Sequence, residues 1–122
     1  MIQKMEINGV HSEVSDDLQK YVQKKIGKLD KYMPRHARES AHAEVKLIVA
    51  KSKDKRQNTC EVVLHVPNEV ITTKETTMNM FASIDIVETK LKNQLKKYKE
   101  THSSLKIRRR LLSKVRNGRI KL

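Results

Sequence analysis

The sequence predicts an α+β domain, in the order β-α-β-β-β-α, with two helices packed on one face of a four-stranded mixed sheet. Apolar residues recur every three or four positions in two segments, which is typical of amphipathic helices. Elsewhere, apolar and polar residues alternate or β-branched residues cluster, which is typical of strands. A strand, a helix and a strand in succession favour a parallel, right-handed crossover. The three later strands favour an antiparallel meander, with both helices on one sheet face and water on the other.

The first half of the chain contains the first strand and the first helix. Residues 2–8 alternate weakly, and Gly9 suits a turn that ends the strand. Ser15 is a good N-cap, followed by two acids that favour the helix dipole. The apolar face of this helix continues to Pro34, which stops it. Gly27 inside the helix costs about 1 kcal/mol relative to Ala, so we expect it to serve either close packing or access to a ligand.

Three strands follow in the middle of the chain. Residues 43–50 and 60–66 both alternate between apolar and polar side chains, and each predicts a strand with one buried face. The polar, basic residues between them, 51–58 (KSKDKRQN), predict a hairpin loop. Pro67 then begins a turn. The β-branched residues of 70–75 predict the fourth strand.

The second helix, over residues 79–100, has one continuous apolar face and contains no Gly or Pro. About 100° of rotation per residue places Lys90 and Lys97 on one flank of that face. The same rotation places Lys92 and Lys96 on the other flank. This helix is therefore predicted to close the core and to present cations along both edges of it.

Charge divides the chain into a domain over residues 1–101 and a basic tail over 102–122. The chain has 27 Lys+Arg and 14 Asp+Glu, a net charge of +13. Eight of the bases and none of the acids lie after residue 100. Ser103 and Ser104 are expected to loosen the second helix, and we expect the tail to be flexible. Such an excess of positive charge favours a polyanionic partner, either nucleic acid or an anionic membrane surface.

Cysteine content and hydropathy predict a cytoplasmic protein. The single Cys60 cannot form an internal disulfide and suits a reducing compartment. No apolar run approaches the roughly 18 residues of a membrane span. The N-terminus does not resemble a signal peptide, because polar residues and an acid interrupt it.

The residues that could carry catalysis do not form a recognisable constellation, and the sequence predicts no enzyme, metal or cofactor. The five histidines lie on different elements without metal-ligand spacing, and His36 and His42 straddle a loop and a strand start. Cys60 lies on the inward face of a strand, so we expect a buried, structural thiol. No Gly-rich phosphate loop is present. An enzyme that acts on RNA would need a clustered acid or histidine pair.

Lysines on both helices predict binding to a phosphate backbone. One face of the first helix carries Lys20, Lys24, Lys28 and Lys31, while Lys25 lies nearer the core edge. For one helix alone, a solvated lysine face explains the pattern equally well. Two such helices on one sheet face, together with the tail, favour salt-dependent binding without sequence preference. The strands lack aromatic residues for stacking single-stranded bases, so structured RNA is the favoured partner.

Two segments carry a resemblance to a known family: residues 21–32 (YVQKKIGKLDKY), and residues 80–85 (MFASID) with 90–98 (KLKNQLKKY). With the order of elements, they resemble the bacterial ribosome hibernation-promoting factors and ribosome-associated inhibitors, formerly called sigma-54 modulation proteins. The resemblance covers about residues 1–100 and implies a fold like that of double-stranded-RNA-binding domains. It also implies binding of the small ribosomal subunit in the decoding region. There such a protein overlaps mRNA and tRNA and silences idle ribosomes in stationary phase or stress.

The resemblance also implies which residues meet the rRNA. It gives roles to Lys25, Lys28 and Lys31 on the first helix, and to Lys90 and Lys97 on the second. Lys92 and Lys96 are additions of this chain. Asn93 stands where an Arg is common in the family, and the wholly basic tail departs from members with an acidic one. The complete set expected to bind rRNA is Lys24, Lys25, Lys28, Lys31, Lys90, Lys92, Lys96, Lys97, Arg108, Arg109 and Arg110.

The leading hypothesis is therefore a translation inhibitor that binds ribosomes and acts by occlusion, without catalysis or a small-molecule substrate. Its expected partners are the small subunit, its rRNA and the whole ribosome, and the free protein is expected to be monomeric. The alternative is a regulator that binds free structured RNA or acts on transcription. An interaction protein that uses its open sheet face, around Ile48, Val63 and His65, is a further alternative.

Overall fold

A four-stranded mixed sheet with strand order β1-β2-β3-β4 forms the centre of the fold. The computed structural model describes residues 1–11, 13–52 and 55–116, and for Ser52 and residues 102–116 it describes the backbone alone. A 3-10 helix follows the first α-helix. The elements in chain order are β1 (Lys4–Val10), α1 (Asp16–Gly27), the 3-10 helix (Lys28–Tyr32), α2 (Arg35–Arg38), β2 (His42–Ser52), β3 (Lys55–Val66), β4 (Glu69–Thr77) and α3 (Met80–Arg116).

The sheet has the predicted mixed topology. Strand β1 pairs in parallel with β2, and the pairs β2–β3 and β3–β4 are antiparallel. Val45 lies opposite Val62, which lies opposite Thr73, and all three are buried. Their sequence neighbours point to the other face and are half-buried or exposed. The α+β class, the parallel crossover and the meander are thus confirmed.

The core lies between the sheet and the helices, on one sheet face. Helix α1 buries Val22 and Ile26, and α3 buries a stripe that includes Leu91 and Leu95. The i, i+4 spacing of each pair keeps its side chains on one helix face. Cys60 lies among them on the inward face of β3, fully buried, as predicted.

The strands are longer than predicted where their side chains are polar. The predicted loop over 51–58 is wrong, because β2 continues to Ser52 and β3 begins at Lys55. Backbone pairing does not require apolar side chains, so the alternation pattern ended before the strands did. Gly9 likewise does not end β1, since it pairs with Leu47, and the positive φ of 58° falls at His11.

The first helix is shorter than predicted and changes type. It begins as expected, with the Ser15 Oγ accepting a hydrogen bond from the Leu18 N–H at 3.2 Å. It ends at Gly27, where the Gly27 carbonyl accepts a hydrogen bond from the Ile2 N–H at 3.0 Å. The chain then tightens into the 3-10 helix. Helix α2 was not predicted, because four residues are too few to show a periodic pattern.

Gly27 packs closely against the N-terminal segment, which agrees with the first of the two expectations for it. A Cβ at this position would lie 2.8 Å from the Met1 Cε and 4.0 Å from the Met5 Cε. Its φ of −59° is ordinary helical geometry, so no special backbone conformation calls for glycine. The N-terminal segment therefore passes directly over the end of α1.

Helix α3 extends well beyond its predicted end. The helical backbone continues through Ser103 and Ser104 to Arg116, so the expected loosening at the two serines is not observed. The reason is that no Gly or Pro interrupts residues 80–116, and serine costs an exposed helix only a few tenths of a kcal/mol. The expected flexibility of the tail stays a prediction. No helix in the described ranges is long and apolar enough to cross a membrane.

Candidate nucleic-acid interface

A basic cleft separates the end of the first helical segment from α3. It is lined by Lys25, Lys28, Leu29, Lys31, Tyr32, Glu88 and Lys92 and encloses about 180 Å³. The buried stripe of α3 determines which of its lysines reach this cleft. Because Leu91 and Leu95 face the core, their neighbours Lys92 and Lys96 lie on the flank that faces the 3-10 helix.

The ring of Tyr32 gathers three lysines at the edge of the cleft. The Nζ atoms of Lys31, Lys92 and Lys96 lie 5.1, 5.3 and 5.9 Å from the ring centroid. Cation–π attraction to the ring offsets part of the repulsion among the ammonium groups. Although desolvation acts to raise the pKa of the Tyr32 phenol, Lys92 and Lys31 outweigh it and lower that pKa.

The opposite end of the cleft is acidic, and there the half-buried Lys25 lies between two carboxylates. The Lys25 Nζ lies 3.7 Å from the Asp85 Oδ1 and 4.0 Å from the Glu88 Oε1. It also lies 5.5 Å from the centroid of the Tyr21 ring. The Tyr21 hydroxyl donates a hydrogen bond to the Asp85 Oδ1, which raises the pKa of Tyr21 to about 12. The charge of Lys25 is thus already balanced by its neighbours, unlike the charges at the Tyr32 end.

Lys90 and Lys97 lie on the other flank of α3 and face β4. The Lys90 ammonium forms an ion pair with Glu75 on β4. Lys97 lines a groove of about 350 Å³ together with Glu69, Gln94 and residues on either side of them. The two predicted flanks are confirmed, but these two lysines do not join those of the cleft.

The expected RNA-binding residues therefore fall into four groups. Lys25, Lys28, Lys31, Lys92 and Lys96 lie in or beside the basic cleft, and Lys90 and Lys97 lie along β4. Lys24 is exposed on the last turn of α1. Arg108, Arg109 and Arg110 lie on α3, in the part where only the backbone is described.

Sequence reasoning missed the role of Tyr32 and one cluster on the open sheet face. Tyr32 lies in the segment 21–32, which carries part of the family resemblance, but a tyrosine next to a lysine gives no sign of which other lysines surround it. The cluster contains His42, Glu44 and His65, whose ligand atoms all lie within 4.8 Å of one another. The strand alternation had placed Glu44 and His65 on this face, and the β2–β3 register adds His42.

The fold and the cleft together define a small α+β domain with a cationic helical layer on one side of its sheet. The model of the sigma 54 modulation protein / S30EA ribosomal protein family matches residues 5–103. The chain belongs to this family, which confirms the resemblance carried by its two helical segments.

Two curated relatives agree with this assignment. The ribosome hibernation promotion factor of Lactococcus lactis subsp. cremoris is 38% identical over 96 residues, or 79% of this chain and 49% of that protein. The protein of the same name from Staphylococcus aureus is 30% identical over 96 residues, or 79% of this chain and 48% of that protein. The chain thus spans about half the length of these curated relatives.

Two solved structures share the fold. The N-terminal domain of Protein Y from Thermus thermophilus has a TM-score of 0.66 and 25% identity, covering 76% of this chain and 94% of that one. A ribosomal subunit interface protein from Coxiella burnetii has a TM-score of 0.65 and 20% identity, covering 80% and 98%.

Proposed function

We propose that this chain binds the ribosome through the basic cleft and promotes ribosome hibernation. The observation that carries the proposal is the gathering of five lysines from two helical segments in or beside one cleft, in a chain similar to two ribosome hibernation promotion factors. Exposed ammonium groups fixed on a rigid helical layer suit the phosphates of a folded RNA. Binding of this kind depends on the shape and charge of the RNA and little on its sequence.

The proposed target is the rRNA of the small subunit in its decoding region, where the protein would occlude mRNA and tRNA. Occlusion needs no chemical step, so catalysis has no part in the proposal. The protein would act in the cytoplasm, in stationary phase or under stress, as a monomer. Lys24, with Arg108, Arg109 and Arg110, would extend the contact beyond the cleft.

A matched pair of variants tests the role of the cleft. In the cleft variant, Lys28, Lys31, Lys92 and Lys96 are changed to Gln. In the sheet variant, the exposed strand lysines Lys4, Lys46, Lys55 and Lys74 are changed to Gln. Both variants lose four positive charges, so a difference between them reports position and not net charge. Circular dichroism and thermal unfolding establish that both retain the fold.

Co-sedimentation with purified ribosomes is the measurement. We expect the cleft variant to bind at least tenfold more weakly than the unaltered chain, and the sheet variant to lose much less. A third variant, with Lys90 and Lys97 changed to Gln, measures the contribution of the other flank of α3. Equal losses in the cleft and sheet variants would contradict a cleft-centred surface.

A competition experiment separates this function from regulation of free RNA. Unlabelled bulk RNA is added to ribosomes already bound by the chain, at equal nucleotide concentration. Retention on the ribosomes supports the proposal, and transfer to the bulk RNA supports the alternative. Translation of a reporter mRNA in a purified system then tests inhibition directly.

A further inference from the structure

Two histidines and a glutamate converge on the open face of the sheet, away from the basic cleft. His42 on β2 and His65 on β3 are directly opposite partners in the antiparallel register. Their rings are stacked, with centroids 4.1 Å apart and an interplanar angle of 8°. Glu44, two residues after His42 and on the same face, brings its Oε2 to 3.4 Å from the His65 Nε2. The ligand atoms of all three residues lie within 4.8 Å of one another.

These three side chains are the ligand types that zinc prefers in proteins. Zinc binds imidazole nitrogen and carboxylate oxygen at about 2.0–2.2 Å, so two ligand atoms of a tetrahedral site are roughly 3.3–3.6 Å apart. The His65–Glu44 pair already has this separation. The His42 ring must turn out of the stack to direct its lone pair at the same point. The energy lost on breaking such an aromatic stack is small beside that of a metal–ligand bond.

The surroundings leave room for a metal and for the water that completes its coordination. The side chains of His65 and Glu44 are 33% and 46% exposed. A hollow of about 540 Å³ adjoins the cluster and is lined by residues of β1 and β2. Across the register, Lys4 lies opposite His42 and Glu6 lies opposite Glu44. These two neighbours on β1 have opposite charges, so the strand adds no net positive charge beside the cluster.

We propose that His42, Glu44 and His65 form a binding site for Zn²⁺ on the open sheet face. Two imidazoles favour a first-row transition metal over Mg²⁺ or Ca²⁺, which prefer a set of oxygen ligands. The site lies on the sheet face opposite the helices, so it is independent of the proposed ribosome-binding surface. If the chain does not bind Zn²⁺, the proposed ribosome binding is unaffected. If the chain does not bind ribosomes, the proposed Zn²⁺ site is unaffected.

The test uses the untagged full chain and titration with Zn²⁺ against a competing fluorescent chelator. We expect one Zn²⁺ per chain, and at least tenfold weaker binding for His42→Ala and for His65→Ala. This is a lower bound, because removing even the indirect partners of a metal ligand costs about 10–100-fold. Glu44→Gln should weaken binding as well. His36→Ala, on α2, is the matched control and should bind like the unaltered chain.

NMR of the imidazole nitrogens identifies the ligands without depending on variants. Zn²⁺ should shift the signals of His42 and His65 and leave those of His11 and His36 in place. Stoichiometric binding that is lost in both histidine variants supports the site. Absence of saturable binding by the unaltered chain, or equal affinity in His42→Ala and His65→Ala, would overturn the proposal.

Discussion

The salt dependence of ribosome binding should report how many cleft lysines neutralise phosphates. Binding of a cation to a phosphate releases condensed counterions, and each contact contributes about 0.7–0.9 to the slope of log affinity against log salt. The structure offers four lysines for this purpose: Lys28, Lys31, Lys92 and Lys96. Three of the four surround Tyr32, and no ion pair with an acid involves any of them within the described residues.

The expected magnitude follows from that count. Changing all four lysines to Gln should lower the slope by about 3. Over a rise in salt from about 50 to 200 mM, a slope contribution of about 3 corresponds to roughly 60-fold in affinity. The unaltered chain should therefore lose about 60-fold more affinity across this range than the cleft variant. Quantitative co-sedimentation at several salt concentrations, with Mg²⁺ held constant, measures both slopes.

A contrast between two single variants makes the prediction sharper. Lys25 is paired with Asp85 and Glu88, so releasing it to a phosphate would take the neighbouring positive charge away from both carboxylates. We therefore expect Lys25→Gln to change the slope far less than Lys28→Gln, although the two lysines are close in sequence. Equal changes in slope for the two variants would refute the reasoning from the internal ion pairs.

Two further predictions concern stability and are measured by urea unfolding. Gly27→Ala should stabilise the chain by up to about 1 kcal/mol, because alanine favours the helix more than glycine does and only the end of the flexible Met1 side chain must move. A loss of stability would show that the contact with Met1 does not yield to the added methyl group. Burial raises the pKa of the Cys60 thiol from 9.0 to about 12, so the folded chain holds that proton more tightly. The protonated thiol therefore contributes fully to the free energy of unfolding below pH 9. This contribution falls by up to about 1.4 kcal/mol per pH unit as the pH rises toward 12. It is absent in Cys60→Ala. Relative to that variant, the unaltered chain should lose stability between pH 9 and 10.5, and parallel pH profiles would show that the thiol does not titrate with unfolding.

The sequence predicted the parts of the fold that depend on apolar periodicity. Buried positions such as Val45, Val62 and Leu91 alternate or recur so regularly that their faces could be assigned without a structure. The errors lie where structure persists without an apolar pattern. The polar ends of β2 and β3 are held by backbone pairing, and α3 continues past Ser104 because nothing in its sequence breaks a helix.

The candidate site was predicted less completely, for a geometric reason. A helical projection gives the angle of a side chain about its own helix, and this correctly separated Lys90 and Lys97 from Lys92 and Lys96. It does not give the element that each flank faces, because that depends on the neighbours of α3 in the layer. Only the packed structure shows β4 beside Lys90 and Tyr32 beside Lys92.

The arrangement around Tyr32 explains how a cleft of like charges can exist in the free protein and still favour a polyanion. Lys92 and Lys96 follow the fully buried Leu91 and Leu95, so folding of the core already fixes their backbone. The aromatic ring holds the ammonium groups close together, where they repel one another. A phosphate between them would turn that repulsion into attraction while ordering only the ends of the side chains. Binding energy would thus come from charges that folding has already brought together. For this reason the four cleft lysines should contribute more to affinity than the four strand lysines of the sheet variant.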